Sequence, residues 1–391
     1  MPWQEMSPMD LREDFVAEYE TGWFTVTELC TAYGISRKTG HKWIGRYRQY
    51  GQAGLLDQSR RPRGHPHTTP SATVKALLAA RRRFPLWSAG KLVTWLTREH
   101  PTQSWPTRAC AYTLLARHGG EVACRRSGPS SRRGAVATAL ATPTEANALW
   151  TTDFKGPFRV RDGRVCHPLT IRDGFSRYVL GCTALEAESY VLTRRVFARV
   201  FGEYGLPDAI RSDNGRPFAG PGLARLSRLN VWWMQLGIRL ERIAPGHPEQ
   251  NGSHEQFHRV LKRHTARPPA ATLRGQQRDF DRFRAEYNDE RPHDALAGAV
   301  PAVFYTASTR ALPAQLPRDS YPAHWDVRNV DQIGLVSWHN RPLFLSTALA
   351  RHHVAFEEID DAQWRVWFGL VQLGLFDERK HRWIVDGKLT G

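Results

Sequence analysis

Apolar positions recur at helical spacing up to about residue 118 and with a period of two from Ala148 onward. Residues 8–50 read as three short helices. The second opens on Thr25-Val26-Thr27-Glu28, a capping box in which the Thr25 hydroxyl accepts from the backbone at position 28 and Glu28 reaches back. Leu29, Ala32 and Tyr33 are expected to face inward, and Gly34 to supply the turn. Ser36 caps a third helix whose two stripes separate, with Trp43, Ile44 and Tyr47 toward a core and Lys38, Lys42 and Arg46 four apart on the other side. This pattern predicts a helix-turn-helix over 8–57, with Arg37, Lys38, Lys42 and Arg46 as candidate DNA contacts. A three-helix bundle with no DNA role satisfies the same pattern.

Residues 58–70 are rich in Arg, Pro and His and have no period, so they read as a basic linker that could lie along DNA through Arg60, Arg61 and Arg63. A second helical DNA-binding module of helix-turn-helix type is expected over 71–120, with apolar Val74, Leu77, Leu92, Trp95, Leu96, Leu114 and Leu115 and with Pro106-Thr107 opening its last helix. Another basic linker covers 121–145. Beyond it, Leu149–Phe158, Val165–Ile171 and Arg177–Cys182 read as an antiparallel meander with Asp162-Gly163 and Asp173-Gly174 at the turns. A helix follows, carrying Val196-Phe197 and Val200-Phe201. Next come a short strand ending at Asp213-Asn214-Gly215, a helix near 221–236, a strand over 238–243, a loop to Asn251 and a helix from Ser253. The class expected for 146–310 is a mixed α/β sheet. The tail, 325–390, has the short alternating runs of a small all-β barrel.

Charge adds a partner to this outline. The chain of 391 residues has 55 Lys and Arg against 38 Asp and Glu, a net charge of +17. Residues 1–142 hold 21 of the cations and 10 of the acids, so the excess is concentrated before the sheet. Arg runs such as Arg81-Arg82-Arg83 are solvated surface or polyanion contacts, and their coincidence with the helical modules favours the latter. At 41% hydrophobic residues and with 14 Trp, wholesale disorder is excluded. No apolar run reaches the roughly 18 residues of a membrane span and the start lacks signal-peptide features, so a soluble, cytoplasmic protein without membrane contact is expected. The 5 cysteines show no C-x2-C spacing and indicate neither disulfides nor a zinc knuckle.

Three carboxylates stand out. Asp153 shares a strand face with Leu149 and Thr151, opposite Trp150, Thr152 and Phe154, and an acid there is costly without a cation or donors. Asp213 ends the strand after the crossover helix, where ligands gather in α/β sheets. Glu255 lies in the first turn of a helix. Brought together, such acids suit Mg²⁺ or Mn²⁺.

The motifs Trp150-Thr151-Thr152-Asp153-Phe154, Ile210-Arg211-Ser212-Asp213-Asn214-Gly215, Pro245-Gly246-His247-Pro248-Glu249-Gln250-Asn251-Gly252-Ser253-His254-Glu255 and Tyr287-Asn288-Asp289-Glu290-Arg291-Pro292-His293, in this order, resemble those of the DDE transposases and retroviral integrases. Bacterial insertion-sequence transposases are the most similar group. The resemblance implies a ribonuclease-H-like core over 146–310 with a helical extension, and Asp153, Asp213 and Glu255 as catalytic metal ligands. It implies two Mg²⁺ or Mn²⁺ ions per site, bridged by Asp153. The implied reaction is cleavage and transfer of DNA strands at terminal inverted repeats, by a homo-oligomer of at least two chains acting near the bacterial nucleoid.

For the third acid, Glu249 has the separation of 35 residues from Asp213 common among relatives. Glu255 is preferred because it follows the glycine of its loop and precedes Arg259 and Lys262 at four and seven positions, with Phe218–Leu229 as the home of the extra residues. Arg259 and Lys262 join the candidate DNA contacts. Asp173 reads as a turn residue. His247, His254 and His258 are assigned to phosphate contacts or a helix face before metal ligation. A catalytically silent DNA-binding regulator and a nuclease on the same core are the alternative functions.

Overall fold

In a computed structural model, the chain is described over residues 7–58, 69–118, 142–220, 222–243, 252–317, 320–385 and 388–390. Arg60, Arg61, Arg63, His247, Glu249 and most of both predicted linkers lie outside the described residues. The chain forms two compact units, 1–69 and 70–391.

The first unit holds α1 (Pro8–Glu20), α2 (Val26–Ala32) and α3 (Arg37–Tyr50). The capping box forms as its residues require: Glu28 N donates to Thr25 Oγ1 at 3.3 Å and Thr25 N to Glu28 Oε2 at 2.8 Å. Phe15, Val16, Leu29, Cys30, Trp43, Ile44 and Leu55 make the core. Ala32, expected inward, is exposed, and Cys30 takes the inward place. The reason is the crossing of α3 over α2 at Gly40, where an added Cβ would stand 2.5 Å from Cys30 Sγ. Two residues beyond that crossing, the helix has turned by roughly 200° and Ala32 points away.

The second unit begins with α4 (Ser71–Arg83), α5 (Ala89–Glu99) and α6 (Arg108–Arg117), the last capped by Thr107. Leu77, Trp87, Leu92, Leu96, Ala111 and Leu115 are their shared core. These helices are tied to the following sheet domain, with Trp87 Nε1 donating to Glu286 Oε1 at 2.7 Å and Arg98 to the Glu290 carbonyl at 3.3 Å.

The sheet comprises β1 (Trp150–Phe154), β2 (Phe158–Arg159), β3 (Val165–Asp173), β4 (Val179–Leu185), β5 (Ala209–Ser212) and β6 (Arg239–Arg242). β3 pairs antiparallel with β1, β2 and β4, while β5 lies parallel to both β1 and β6. The single strand expected over 149–158 is interrupted at Lys155-Gly156-Pro157, because proline has no N–H for the ladder. Helices α7 (Tyr190–Tyr204) and α8 (Arg228–Gln235) cover one face, burying Trp150, Phe197, Phe201, Phe218 and Trp233. Helices α9 (Gly252–Thr265) and α10 (Leu273–Ala285) cover the other, and a π-helical turn over Glu286–Glu290 extends α10. Side chains from this last segment complete the outer edge of β4. Gln277 bonds Cys182 O at 3.0 Å and Ala184 N at 2.9 Å, and Asn288 bonds both backbone groups of Val179 at 2.8 and 3.0 Å.

The tail holds β7 (Asp326–Asn329), β8 (Leu335–Trp338), β9 (Arg341–Phe344), β10 (His353–Asp360), β11 (Gln363–Phe368), β12 (Val371–Asp377), β13 (Arg382–Val385) and β14 (Lys388–Thr390). The expected barrel is not closed. Six strands form one sheet in the order β14-β13-β12-β11-β10-β7, and β8-β9 form a separate hairpin. The physical reason is the surface it packs on: Leu226 and Val231 join the apolar cluster of Trp338, Phe356, Phe368 and Phe376, so the tail buries its inner face partly against the core domain. Residues 218–229, expected to absorb extra length, supply that contact, with Leu223 N donating to Leu345 O at 2.7 Å. Among the described residues no helix is long and apolar enough to cross a membrane.

Candidate functional site

Alternation along β1 sends Trp150 into the α7/α8 core and turns Thr151 and Asp153 toward α9. There the hydroxyl of Thr170, the β3 partner of Asp153, is a hub. It donates to the Asp153 carbonyl at 3.0 Å and contacts His254 Nε2 at 2.7 Å and His258 Nε2 at 2.8 Å. A hydroxyl has one proton and two lone pairs, so both imidazoles donate to it from Nε2 and keep Nδ1 as an acceptor. His254 Nδ1 accepts from Thr151 at 3.1 Å, a shorter contact than the alternative acceptor of that hydroxyl, the Arg172 carbonyl at 3.5 Å. His258 Nδ1 faces Asp153 Oδ2 at 3.7 Å. Burial above all, then Lys155 and Arg172, lowers the His258 pKa to about 3. At neutral pH the imidazole is uncharged and its Nδ1 lone pair faces Asp153, a pair that a cation or a proton on Asp153 can bridge.

Asp213 follows β5, the strand beside β1. Its Oδ1 is buried without a hydrogen-bond partner. The neighbouring residues hold the turn: Asn214 Nδ2 donates to the Ile243 carbonyl at 2.8 Å, and a Cβ on Gly215 would come within 2.8 Å of Asp213 Oδ2. Burial raises the Asp213 pKa, the Gly215 N–H opposes it, and Glu188 adds to the rise.

Glu255 is exposed in the first turn of α9. The Asp153 pKa is raised to about 7, by burial first and then by the charge of Asp213, with the Phe154 N–H opposing and Glu255 adding a smaller rise. Asp153 thus feels the charge of both other predicted carboxylates, Asp213 more than Glu255. Ligand atoms of Asp153, His254 and His258 lie within 4.8 Å of one another, and Asp213 and Glu255 stand outside that tighter group.

Other predicted residues divide clearly. Asp173 is a saturated turn residue, accepting from Asn147 N at 2.8 Å, Ser176 N at 2.7 Å and Ser176 Oγ at 2.6 Å. Arg37, Lys38 and Lys42 are exposed on α3, and Arg259 and Lys262 are exposed on α9. Arg46 is largely occupied: it donates to the Leu56 carbonyl at 2.7 Å and lies 4.8 Å from the Trp43 ring centroid. Sequence reasoning missed Lys155, whose charge acts on Asp153 and His258 and which neighbours Lys262. Its only local signal is a position two residues after the aspartate. The histidine pair on Thr170 had a stronger signal, since His254 and His258 are four apart on a helix, but their target is not local.

A sheet of this topology with acids on one face, behind two three-helix modules, defines the class. Residues 143–248 and 236–301 each match a family described as integrase core domain. Residues 11–63 match a helix-turn-helix domain and 39–126 a homeodomain-like domain. The chain carries an integrase core domain behind helix-turn-helix domains. It is similar to two insertion-element proteins: the IS407 uncharacterized 31.7 kDa protein of Burkholderia multivorans is 28% identical over 170 residues, 42% of this chain and 57% of that relative. The IS476 uncharacterized 39.2 kDa protein of Xanthomonas euvesicatoria is 28% identical over 169 residues, 43% of this chain and 46% of that relative. The match thus spans about half the length of these curated relatives. Among solved structures, the HTLV-2 integrase catalytic core domain in complex with magnesium matches with TM-score 0.33 at 15% identity, covering 42% of this chain and 99% of that one. A simian T-cell lymphotropic virus intasome matches with TM-score 0.37 at 13% identity over 80% of this chain and 97% of that one.

Proposed function

We propose that the chain is a DNA transposase that binds the terminal inverted repeats of an insertion sequence and catalyses metal-dependent strand cleavage and strand transfer. The observation that supports this reading is that buried Asp153 feels the charges of both Asp213 and Glu255, and its pKa is lifted to about 7. Repelling carboxylates, a buried partnerless oxygen on Asp213 and a neutral imidazole beside Asp153 fit a divalent cation better than any side-chain partner present. Asp153, Asp213 and Glu255 are the residues that would hold Mg²⁺ or Mn²⁺. The chemistry that two such ions supply when bound is activation of the attacking oxygen and stabilisation of the leaving oxygen of an in-line phosphodiester displacement.

The chain's own groups do the rest. Thr170 ties the Asp153 backbone to His254 and His258 of α9, which fixes β1 against the helix that carries Glu255. Lys155 and Lys262 place positive charge where a phosphodiester would approach. Exposed Arg37, Lys38 and Lys42 on α3 bind DNA, and Arg259 adds charge on α9. Because two ends must be joined, at least two copies act together.

The test is nicking of DNA carrying the sequences that flank the reading frame, with Mg²⁺ present. Wild-type chain is expected to nick at the repeat ends and Glu255→Gln to be inactive, while Glu249→Gln retains activity. Loss confined to Glu249→Gln reassigns the third ligand. Repeat binding with no nicking in Mg²⁺ or Mn²⁺ identifies a silent DNA-binding regulator, and nicking with no joined product identifies a nuclease.

A further inference from the structure

A cavity of about 400 Å³ lies beside the first turns of α9, lined by cations from three distant segments: Lys91 of α5, Arg172 and Arg177 around the β3–β4 turn, and Arg291 after the π-helical turn. Arg172 is only 3% exposed. Its Nη1 donates to the Ser253 carbonyl at 3.0 Å, its guanidinium lies 4.7 Å from the Phe257 ring centroid, and its Nε is buried without a partner. The adjacent acid, Asp173, is already saturated by Asn147 and Ser176. Arg177 donates to Ser253 Oγ, and Lys91 donates to the Pro292 carbonyl with its nearest acid, Asp294, 4.0 Å away and 98% exposed. The four cations meet three acids, Asp173, Glu286 and Asp294, so part of the desolvation penalty of buried Arg172 and Arg291 is left for an anion in the cavity to offset.

We infer that this cavity seats a phosphodiester group of DNA. Arg172 is the register partner of Thr151, which lies roughly 7 Å along β1 from Asp153. Ser253 at the rim is two residues before Glu255. A strand engaged at the carboxylates would therefore carry a neighbouring phosphate past the rim. Guanidinium forks and an ammonium are the groups that recognise such an oxyanion. The choice of DNA as the source of the phosphate rests on the proposed function, whereas the anion site itself stands on the geometry of the cavity.

The experiment is site-resolved amine labelling of the full chain in EDTA, read by mass spectrometry. It does not depend on cutting. Burial, then the charges of Arg291 and Arg108, brings the Lys91 pKa down to about 8, which makes this amine reactive. Inorganic phosphate and a short duplex are each expected to slow labelling of Lys91 at least threefold, and a duplex with a neutral methylphosphonate backbone is expected to leave it unchanged. Arg177→Gln should abolish the protection, and Asp294→Asn should strengthen it. The inference is overturned if Lys38 and Lys42 become protected by the duplex while Lys91 does not, or if the neutral backbone protects equally. Protection that rises with protein concentration alone also overturns it, because the cavity then takes an acid from a second copy. Protection by phosphate in a chain that never nicks DNA would leave the anion site standing while the proposed function fails.

Discussion

On α3, Arg37, Lys38 and Lys42 stand in solvent, and Lys42 lies 4.4 Å from the Trp43 ring centroid. On the α9-facing side of β1, Asp153 is 18% exposed and His258 8% exposed, and burial is the largest cause of the pKa shift of each. The first group of charges is complete without a ligand. Its members are hydrated, additive and screened by salt, so they read a polyanion through counterion release and tolerate loss one at a time. The second group is incomplete without one: Asp153 is buried beside the charges of Asp213 and Glu255, and Asp213 keeps a buried oxygen without a partner. Recognition can thus be built from exposed charge, while chemistry needs charges buried at a cost to stability.

The sharpest break in this contrast should come from Asp153→Asn or Asp213→Asn. Each is expected to lower DNA cleavage at least about a hundredfold while leaving duplex affinity in EDTA unchanged, because removal of even an outer partner of a metal ligand costs 10–100-fold. Equal losses in cleavage and affinity would erase the distinction. Next in size is Thr170→Val, which removes the acceptor of both imidazoles and the donor to Asp153. A drop of about tenfold or more in Mn²⁺ affinity by calorimetry, with the folded spectrum retained, is expected.

Stability against pH gives a third test. In the folded metal-free chain Asp153 protonates near pH 7, well above the carboxyl of an unfolded chain. Between about pH 4 and 7 the folded state holds on Asp153 a proton that the unfolded state has released, so the Asp153 contribution to stability falls as pH rises through that window, while the buried His254 and His258, with lowered pKa values, contribute in the opposite direction. Asp153→Asn should therefore raise the melting temperature relative to wild type more at pH 8 than at pH 4. A difference between variant and wild type that is the same at both pH values places the titrating group elsewhere. The smallest effect belongs to α3, where Lys38→Ala and Lys42→Ala should each reduce the slope of log affinity against log salt by about 0.9 and leave cleavage at saturating DNA unaltered.

What could be read from the residues alone follows the range of the interactions. The Thr25–Glu28 capping box and the Asp213-Asn214-Gly215 turn are local chemistry, and β1 alternation alone assigned Asp153 and Trp150 to opposite faces. The Thr170–His254 contact joins residues 84 apart, and the Lys91–Pro292 contact joins residues 201 apart. No periodicity encodes such pairs. The open tail sheet had the same cause: strand alternation indicates a buried inner face, but whether that face closes on itself or on Leu226 and Val231 is decided by a partner surface more than a hundred residues away.

The most direct test is a joining assay in which the full chain, DNA bearing the flanking ends and a supercoiled target are incubated with Mg²⁺ and the products are resolved on a gel. The account predicts a strand-transfer product from the wild-type chain that is absent with EDTA and absent for Asp153→Asn and Asp213→Asn. A joined product of undiminished yield from either variant would contradict it.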